Sequence, residues 1–339
     1  MMVEYYTQRA STPGTMLITE ASFISRNAGG LDNAPGIWSK QQIEAWKKVT
    51  NAVHDKGSFI VLQLWALGRG ASPDSLAREA ESLGLGRNAL PYVSASDVLL
   101  ESRGHGIKPR PVTIEEIDEY VEWFGKAAKN AIEAGFDAVE VHNANGYLLD
   151  QFLQDVTNKR SDKYGGSIEA RAKFPLRVLD SVVKAIGQER AGIRISPWND
   201  YQEMRMSDPI PTFSYFVGEI RRRYERLAYL HVVEGTREGD SNEFLRNIWH
   251  DNNGKEAVFL SAGEHNRESA LKHAEEKGDV VAFGKWFISN PDLPIRLQED
   301  IPLTPYDSST FYARKSLKGY IDYPFAQILS QANETVVVA

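Results

Sequence analysis

Short apolar runs and longer amphipathic segments alternate along this chain. The short runs are rich in Val, Ile, Leu and Phe, which is typical of buried strands, whereas the longer segments repeat apolar residues every three to four positions, as helices do. The short runs predict strands at residues 15–19, 58–65, 138–141, 192–195, 229–233, 257–260 and 280–283. Strands separated by helices imply parallel pairing and right-handed crossovers.

Two capping boxes mark the starts of helices. Ser39-Lys40-Gln41-Gln42 and Thr113-Ile114-Glu115-Glu116 each place a hydroxyl at the N-cap and a Gln or Glu three residues later, and they predict helices that extend to about His54 and Ala134. Residues 68–110 are rich in Gly, Pro, Ser and charge, which favours a long excursion with room for a short hairpin. Amphipathic spacing predicts further helices at residues 168–186, 212–226, 242–249 and 267–276, with short ones at 291–298.

This alternation predicts an α/β fold, a TIM barrel of the (β/α)8 type that forms one domain over residues 1–339. A dinucleotide-binding Rossmann arrangement is disfavoured because no Gly-x-Gly-x-x-Gly follows any predicted strand. Seven strands are predicted, and residues 1–13 are too short and too polar to form another β-unit. We therefore expect a barrel whose first β-unit is missing.

Composition narrows the classes of protein and partner. Hydrophobic residues make up 42% of the 339 residues, enough for a large core, and the net charge of -7 argues against nucleic acid as a partner. The absence of cysteine excludes disulfides, thiolate metal sites and a cysteine nucleophile, and it fits a reducing compartment. No apolar run reaches the roughly 18 residues that span a membrane, and the first residues lack the features of a signal peptide. We therefore expect a cytoplasmic protein with no membrane association.

The densest cluster of reactive side chains follows the predicted strand 138–141. His142-Asn143-Ala144-Asn145-Gly146-Tyr147 places an imidazole, a carboxamide and a phenol at the carboxyl end of a strand, where barrel enzymes carry their active sites. Taken alone, His and Asn at such a boundary are more often turn formers or satisfied polar groups. Other strand ends add side chains to the same rim, at Thr19-Glu20-Ala21, Gln63-Leu64-Trp65, Arg194-Ile195-Ser196-Pro197-Trp198, Ser261-Ala262-Gly263 and Phe283-Gly284-Lys285. Their coincidence on one rim indicates a site.

Together these segments resemble the old yellow enzyme family of FMN-dependent ene-reductases, and most closely its yeast and fungal branch. The resemblance covers essentially the whole chain, and it implies the FMN-linked oxidoreductase type of TIM barrel. It rests on Tyr5-Tyr6-Thr7-Gln8-Arg9-Ala10-Ser11, Leu17-Ile18-Thr19-Glu20-Ala21, residues 141–153, Asp162-Lys163-Tyr164-Gly165-Gly166-Ser167-Ile168-Glu169 and Phe287-Ile288-Ser289-Asn290-Pro291-Asp292-Leu293.

The resemblance implies a reaction in two halves. In family enzymes a nicotinamide dinucleotide, here expected to be NADPH with NADH as the alternative, reduces FMN, and the reduced flavin passes hydride to the β-carbon of an activated alkene. His142 and Asn145 match the pair that binds the substrate carbonyl oxygen, where negative charge develops. Tyr147 matches the residue that protonates the α-carbon, a role for which a phenol near its ordinary pKa of about 10 suffices.

Further positions match the cofactor and substrate pockets of the family. The cofactor positions are Ala21, Gln63 at the flavin pyrimidine edge, Arg194 beside flavin N1 and O2, and Gly263, Gly284 and Lys285 at the phosphate. Trp65 and Tyr312 match pocket walls near the substrate. A buried amide that satisfies the backbone remains an alternative for Gln63, and core packing remains one for Trp65.

Three departures from the family bear on FMN binding. Lys285 stands where the family usually has Arg, which keeps the charge but loses the bidentate contact with phosphate. Glu264 places an acid near that phosphate, where repulsion of about 1 kcal/mol is expected if it points inward. Family members also carry a lid hairpin, the first barrel strand and a Pro-hydrophobic-Thr turn before the segment that matches Met1, and we expect these to be missing here.

Three classes of function remain open. The first is an NADPH:alkene oxidoreductase that acts on α,β-unsaturated aldehydes, ketones or nitroalkenes. The second is a truncated, non-catalytic remnant or binding fragment of the same family, which the missing β-unit suggests. The third, a metal-dependent barrel hydrolase, finds no paired-His ligand motif, so no metal site is expected. Neither the physiological alkene nor the oligomeric state follows from a transferable motif, and a homodimer is the candidate assembly.

Overall fold

The apolar runs form one curved parallel sheet that helices cover on its outer side. The structure is a computed structural model, and it describes residues 1–250 and 257–326. The strands are β1 Met16–Ile18, β2 Ser22–Phe23, β3 Phe59–Trp65, β4 Val93–Ser94, β5 Arg110–Pro111, β6 Ala138–Asn143, β7 Ala191–Ile195, β8 Tyr229–Val233, β9 Phe259–Ala262 and β10 Val280–Ala282. The helices are α1 Met2–Arg9, α2 Lys40–His54, α3 Pro73–Ser82, α4 Ile114–Glu133, α5 Leu148–Leu153, α6 Ile168–Ile186, α7 Ile210–Arg223, α8 Glu243–Trp249, α9 Arg267–Lys277, α10 Lys285–Ser289 and α11 Leu293–Gln298.

The order of the strands in the sheet follows the chain. β1, β3, β6, β7, β8, β9 and β10 lie side by side, and all neighbouring pairs are parallel. β2 pairs with Leu64 and Trp65, further along β3 than β1 does, and it lies beyond the strand predicted at residues 15–19. Parallel strands in sequential order with helices between them are the arrangement of a TIM barrel, which confirms the predicted fold class.

Sequence and structure differ where the pattern is weakest. The excursion of residues 68–110 contains α3, and its short strands β4 and β5 pair in parallel, so the expected hairpin is wrong. Ser72 caps α3 and Pro73 occupies its first turn, a start signal that the surrounding Gly and Pro residues obscure. The short helices α1 and α5 also have no predicted counterpart, because so few turns give little amphipathic repetition.

The main core lies between the sheet and the helices. Side chains on a strand alternate between its two faces, and Leu62, Val139, Ile193 and Leu230 occupy the outer face of four adjacent strands. All four are fully buried in one cluster with the apolar faces of the helices. The capping boxes predicted at Ser39 and Thr113 are both formed. None of the helices in the described ranges is long and apolar enough to cross a lipid bilayer.

The inner face of the barrel changes from apolar to polar along its axis. Val61, Tyr229 and Leu260 form a small apolar cluster near the amino-terminal halves of their strands. Gly192 makes room for this cluster, because a Cβ at that position would lie 2.5 Å from the Tyr229 ring. Two residues past Val61 and Tyr229 the inward side chains are polar, at Gln63 and His231, and Glu140 lies beside Gln63 on β6. Polar groups inside the barrel are therefore concentrated toward its carboxyl-terminal mouth.

The sheet has two edges, β1 and β10. In residues 1–250 and 257–326, β1 pairs only with β3 and β10 only with β9 among the barrel strands. Met16 on β1 is 40% exposed and Val280 on β10 is 49% exposed, unlike the buried apolar residues of β6, β7 and β8. We call the interval between β1 and β10 the seam. Within the described residues, backbone hydrogen bonds do not close the barrel there.

Candidate active site

A sharp turn after β6 positions the cluster that the sequence singles out. Asn145 and Gly146 both adopt left-handed backbone conformations, with φ of 56° and 73°. Glycine is needed at the second position, because a Cβ on Gly146 would lie 2.7 Å from Met204 Cγ and 2.9 Å from Gln202 Cβ. The turn brings the Tyr147 ring back toward His142, with 5.0 Å between their ring centroids.

Buried side chains hold this turn by its backbone. Gly146 N–H donates to Asp150 Oδ2 at 2.9 Å, and Gln151 Nε2 donates to the Gly146 carbonyl at 2.6 Å. Gln202 Nε2 donates to the Asn145 carbonyl at 2.7 Å. Asp150, Gln151 and Gln202 are all buried, so hydrogen bonds from groups that water does not reach fix the conformation of the turn. The sequence analysis missed all three of these residues.

Aromatic rings form one wall beside the turn. The Trp65 ring stacks on Phe23 with 5.1 Å between centroids, and it meets the edge of Tyr147 at 4.8 Å. The same ring lies nearly parallel to the His142 imidazole at 6.4 Å. The structure thus brings Trp65, His142 and Tyr147 together at the carboxyl ends of β3 and β6, as the sequence predicts.

The Asn145 side chain is oriented by a neighbour that the sequence analysis missed. Asn199 Nδ2 donates to Asn145 Oδ1 at 2.7 Å, and the Asn145 backbone N–H donates to Ser196 Oγ at 2.7 Å. Because the amide oxygen of Asn145 already accepts a hydrogen bond, its Nδ2 group is the part that can serve a ligand, as a donor. No signal in the sequence alone distinguishes Asn199 from other loop asparagines.

Burial determines the protonation of the two reactive groups. Burial, with the nearby Arg194 charge, lowers the pKa of His142 to about 3, so the imidazole is neutral at physiological pH. Burial also raises the pKa of Tyr147 above its ordinary value, with Tyr201 adding to the effect. The pKa of Tyr147 lies above that of an ordinary phenol because Tyr147 is shielded from water. Both groups carry a proton that they can donate.

A buried polar network lies inside the barrel just below this cluster. Glu140 accepts a hydrogen bond from Gln63 Nε2 at 2.6 Å and another from His231 Nδ1 at 2.7 Å. Burial alone would raise the pKa of Glu140, but His231, Arg194 and the Gln63 hydrogen bond outweigh it and lower the pKa to about 2. Burial lowers the pKa of His231, so a neutral imidazole donates to an ionised carboxylate.

The sequence analysis names Gln63 and Arg194 from this network but misses Glu140 and His231. A signal for Glu140 was present, since a charged residue stands inside an apolar strand two positions before His142. That spacing places both side chains on the same face of β6. The register then sets Glu140 opposite Gln63, and Arg194 opposite both His142 and His231.

Comparison with known proteins decides the family. Residues 1–304 match the sequence model of the NADH:flavin oxidoreductase / NADH oxidase family. The crystal structure of Old Yellow Enzyme from Pichia sp. AKU4542 superposes with a TM-score of 0.85 at 39% identity, over 96% of this chain and 84% of that one. The chain belongs to the old yellow enzyme family.

Fungal relatives of this old yellow enzyme are reductases by name. A chanoclavine-I aldehyde reductase of Penicillium roqueforti is 46% identical over 345 residues, covering 98% of this chain and 89% of the relative. Enoate reductase 1 of Kluyveromyces lactis is 42% identical over 351 residues, covering 95% of this chain and 84% of the relative. The family consists of FMN-dependent oxidoreductases that use a nicotinamide reductant on small molecules, and it agrees with the resemblance found in the sequence.

The residues at the mouth of the barrel fit the polar edge of a flavin. Three buried polar atoms there have no hydrogen-bond partner within the described part of the chain: His142 Nδ1, Trp65 Nε1 and Arg194 Nε. Buried polar groups are normally paired, so a concentration of unpaired donors at one mouth is typical of a ligand site. The Arg194 guanidinium on β7 supplies further donors, and the Gln63 side chain lies beside them on β3.

The expected phosphate end lies at the seam. Gly263 and Gly284 follow β9 and β10, which are paired at Ala262 and Ala282, so the two glycines lie at the carboxyl ends of neighbouring strands. Lys285 Nζ lies 3.5 Å from Glu264 Oε1, and both side chains are exposed. Glu264 thus lies beside Lys285, and its carboxylate offsets part of the positive charge that Lys285 would offer to a phosphate.

Two remaining predicted residues differ in their surroundings. Ala21 is half-buried between β1 and β2 and packs against the cluster that contains Phe23 and Trp65. Tyr312 is 99% exposed, so its ring forms a wall of the pocket only when a ligand or another segment covers it. Tyr312 is nevertheless close enough to Tyr147 to influence the pKa of that phenol, which places it near the mouth of the barrel. The roles of both residues stay predictions.

Three possible metal ligands lie close together after β8, in α9 and before β10: Glu234, His273 and Asp279. The guanidinium of Arg246 fills the space among them. Its Nη2 lies 2.5 Å from Glu234 and 3.2 Å from His273 Nε2, and its Nε lies 2.8 Å from Asp279. A permanent cation already balances these acids, which explains the cluster without a metal ion.

Proposed function

We propose that this chain binds FMN at the mouth of its barrel and, with NADPH as the electron donor, reduces the C=C bond of α,β-unsaturated carbonyl or nitro compounds. One observation carries the proposal. His142 and Tyr147 are both neutral proton-bearing groups with ring centroids 5.0 Å apart, at the carboxyl end of β6 beside the Trp65 ring. Hydrogen-bond donors for an oxygen and a phenol for a carbon are what reduction of a polarised alkene requires.

The proposed chemistry divides between the cofactor and the chain. FMN, when bound, supplies the hydride that adds to the β-carbon of the alkene. His142 and Asn145 Nδ2 donate hydrogen bonds to the substrate oxygen, on which negative charge grows as the β-carbon accepts the hydride. Tyr147 donates its proton to the α-carbon, which completes the C–H bonds of the saturated product, and a proton from water then restores the phenol. Burial of Tyr147 keeps its proton in place until the substrate accepts it.

Two groups of residues would hold FMN, one at the flavin ring and one at the phosphate. Gln63 would contact the pyrimidine edge, and Arg194 would lie where reduction places negative charge, so a guanidinium there favours the reduced form. At the other end the phosphate would meet the backbone of Gly263 and Gly284 and the Lys285 ammonium. Ala21 would complete the pocket beside the Phe23 and Trp65 rings.

The test is spectroscopic. FMN is added to the purified protein, excess is removed by desalting, and the visible spectrum is followed during anaerobic titration with NADPH and, in parallel, NADH. We expect a retained flavin band that bleaches with NADPH and returns when an α,β-unsaturated ketone is added. Protein that remains colourless after desalting would contradict the proposal. If the band bleaches but does not return with any activated alkene, only the reduction of FMN by the nicotinamide would be supported, and the reduction of alkenes would be contradicted.

A second candidate is a non-catalytic remnant of the family, and the seam is the observation that favours it. Exposed apolar residues on β1 and β10 are unusual at the edges of a barrel and weaken its closure. Thermal unfolding distinguishes the two candidates. A cooperative melt whose midpoint rises with FMN, together with alkene-dependent oxidation of NADPH, would exclude the remnant.

A further inference from the structure

Glu140 lies at the centre of the polar layer inside the barrel, and the proposed chemistry gives it no role. Its side chain is fully buried, and its two oxygens accept hydrogen bonds from different strands. Oε1 accepts from Gln63 Nε2 on β3 at 2.6 Å, and Oε2 accepts from His231 Nδ1 on β8 at 2.7 Å. A buried carboxylate is costly to keep ionised, so this arrangement needs a reason beyond packing.

The first consequence concerns the orientation of Gln63. An ionised carboxylate only accepts hydrogen bonds, so the Gln63 side chain must present its NH2 group to Glu140. The amide oxygen of Gln63 then points away from Glu140. Gln63 is therefore fixed as a hydrogen-bond acceptor toward a ligand, whereas a free glutamine could present either end. The N–H at the pyrimidine edge of a flavin is the partner that an acceptor suits.

The second consequence concerns the charge of Arg194. Glu140 lies opposite Gly192 on β7, and Arg194 is the next residue of β7 that faces the barrel interior. Burial lowers the pKa of Arg194, and the Glu140 charge acts against that effect. In return the carboxylate offsets part of the positive potential that the guanidinium projects into the mouth of the barrel.

We infer that Glu140 is a positioning residue for the flavin: it fixes the Gln63 amide as an acceptor and moderates the field of Arg194, and so sets both the affinity for FMN and the reduction potential of the bound flavin. The inference rests on the proposed function. Glu140 would act through Gln63, which it contacts on β3, and through its charge near Arg194 on β7.

The decisive variant is Glu140→Gln, which keeps the shape and removes the charge. Arg194 then acts on the flavin without compensation, and the negatively charged reduced form becomes more favourable. We expect the equilibrium constant of two-electron reduction to rise on the order of tenfold, which corresponds to about 30 mV. The potential is measured by anaerobic titration of the flavin band against a reference dye, and the dissociation constant of FMN by quenching of its fluorescence.

Glu140→Asp separates the effect on the Gln63 amide from the effect of the charge near Arg194. It also provides a test if Glu140→Gln does not fold. The aspartate keeps the charge but withdraws it from Gln63 by one methylene, so we expect weaker FMN binding by several-fold with a potential close to that of the wild type. Asp292→Asn is the matched control. Asp292 is equally buried and also pairs with a buried arginine, Arg296, in α11, outside the polar layer. Its variant should change neither FMN property.

The outcomes separate this inference from the proposed function. Wild-type protein that binds no FMN would overturn both. Wild-type protein that binds FMN, with less than a twofold change of reduction equilibrium and affinity in Glu140→Gln, would overturn the inference alone. A Glu140→Asp variant with wild-type affinity would overturn it too, since the Gln63 contact would then have no effect. Equal changes in Asp292→Asn would show a general loss of stability instead of a role for Glu140.

Discussion

The two sides of the barrel differ in how completely neighbouring strands cover them. On the closed side, β6, β7 and β8 are each paired on both edges, and their outward apolar residues are fully buried. At the seam, β1 and β10 are paired within the barrel on one edge, and Met16 and Val280 are exposed. Local opening costs less where fewer contacts are lost, so the seam is the less stable side.

The proposed site is divided between these two sides. His142, Tyr147, Glu140 and Arg194 belong to β6, β7 and the turn after β6, where buried hydrogen bonds fix the backbone of the turn and the Glu140 carboxylate. Gly284 and Lys285 follow β10 at the seam, and Lys285 is exposed beside an acid. The groups proposed to act on the substrate and the flavin ring are thus preorganised, whereas the expected phosphate contacts are not. Catalysis and cofactor retention should respond differently to mutation.

The largest effect is expected on the closed side, at the proposed proton donor. Tyr147→Phe removes the phenolic proton but keeps the ring that packs on Trp65. We expect the reoxidation of reduced flavin by an α,β-unsaturated ketone to slow about 10²- to 10⁴-fold, the usual contribution of a general acid. Flavin binding and reduction by NADPH should not change. Stopped-flow absorbance measures the two half-reactions separately.

Tyr201→Phe is the control for that experiment, because Tyr201 is a neighbouring phenol whose side chain is exposed. It should leave both half-reactions unchanged. Equal alkene reduction by Tyr147→Phe and the wild type would remove Tyr147 from the mechanism. A loss of flavin binding in Tyr147→Phe would instead mean that the turn after β6 supports the cofactor pocket as a whole.

One substitution at matched positions tests the difference in stability. Val139→Ala on β6 removes two buried carbons from the core, whereas Val280→Ala on β10 removes them from a side chain that is 49% exposed. We expect the free energy of unfolding to fall by roughly 2 kcal/mol for Val139→Ala. Val280→Ala should change it by less than about 0.5 kcal/mol. Urea unfolding followed by tryptophan fluorescence gives both values, and equal losses would show that the seam is as well packed as the closed side.

The fold was largely predictable because strands buried on both faces leave an unmistakable apolar run. The run of residues 58–65 and the helix at 168–186 agree with β3 and α6 to within a residue, since each is long and well bounded. The pairing of β4 with β5 was not predictable, because two-residue strands carry no periodicity. Their geometry depends on contacts with the rest of the barrel.

The site was predictable where the chemistry is local in sequence. His142, Asn145 and Tyr147 lie within six residues, and the structure brings them together on one turn. Two partners of Asn145 come from a distant segment, since Gln202 and Asn199 follow β7. Hydrogen bonds between such segments depend on the register of strands and the path of loops, which the pattern of apolar residues does not specify.

At the seam, a substitution at Lys285 is expected to raise the affinity for FMN through its phosphate. Lys285→Arg offers two parallel N–H groups to a phosphate in place of one point charge, so we expect FMN to bind about tenfold more tightly. Catalytic rates at saturating FMN should not change. Lys272→Arg on α9 is the control, because Lys272 is also exposed and close to a glutamate, Glu276 at 3.9 Å. Unchanged FMN affinity in Lys285→Arg would mean that Glu264 holds the side chain away from the phosphate.

The smallest effect is expected at a residue that orients another on the closed side. Asn199→Ala removes the donor to Asn145 Oδ1, so the Asn145 amide can rotate and its Nδ2 is no longer reserved for the substrate oxygen. We expect phenolic ligands, which present an oxygen to His142 and Asn145, to bind about fivefold more weakly, near 1 kcal/mol, with FMN affinity unchanged. Asn51→Ala, at an exposed asparagine of α2, is the control. Titration of the flavin spectrum with a phenol measures both variants. If Asn199→Ala binds phenols as tightly as the wild type, the turn after β6 holds Asn145 through its backbone alone, and the closed side is even more rigid than its side-chain contacts suggest.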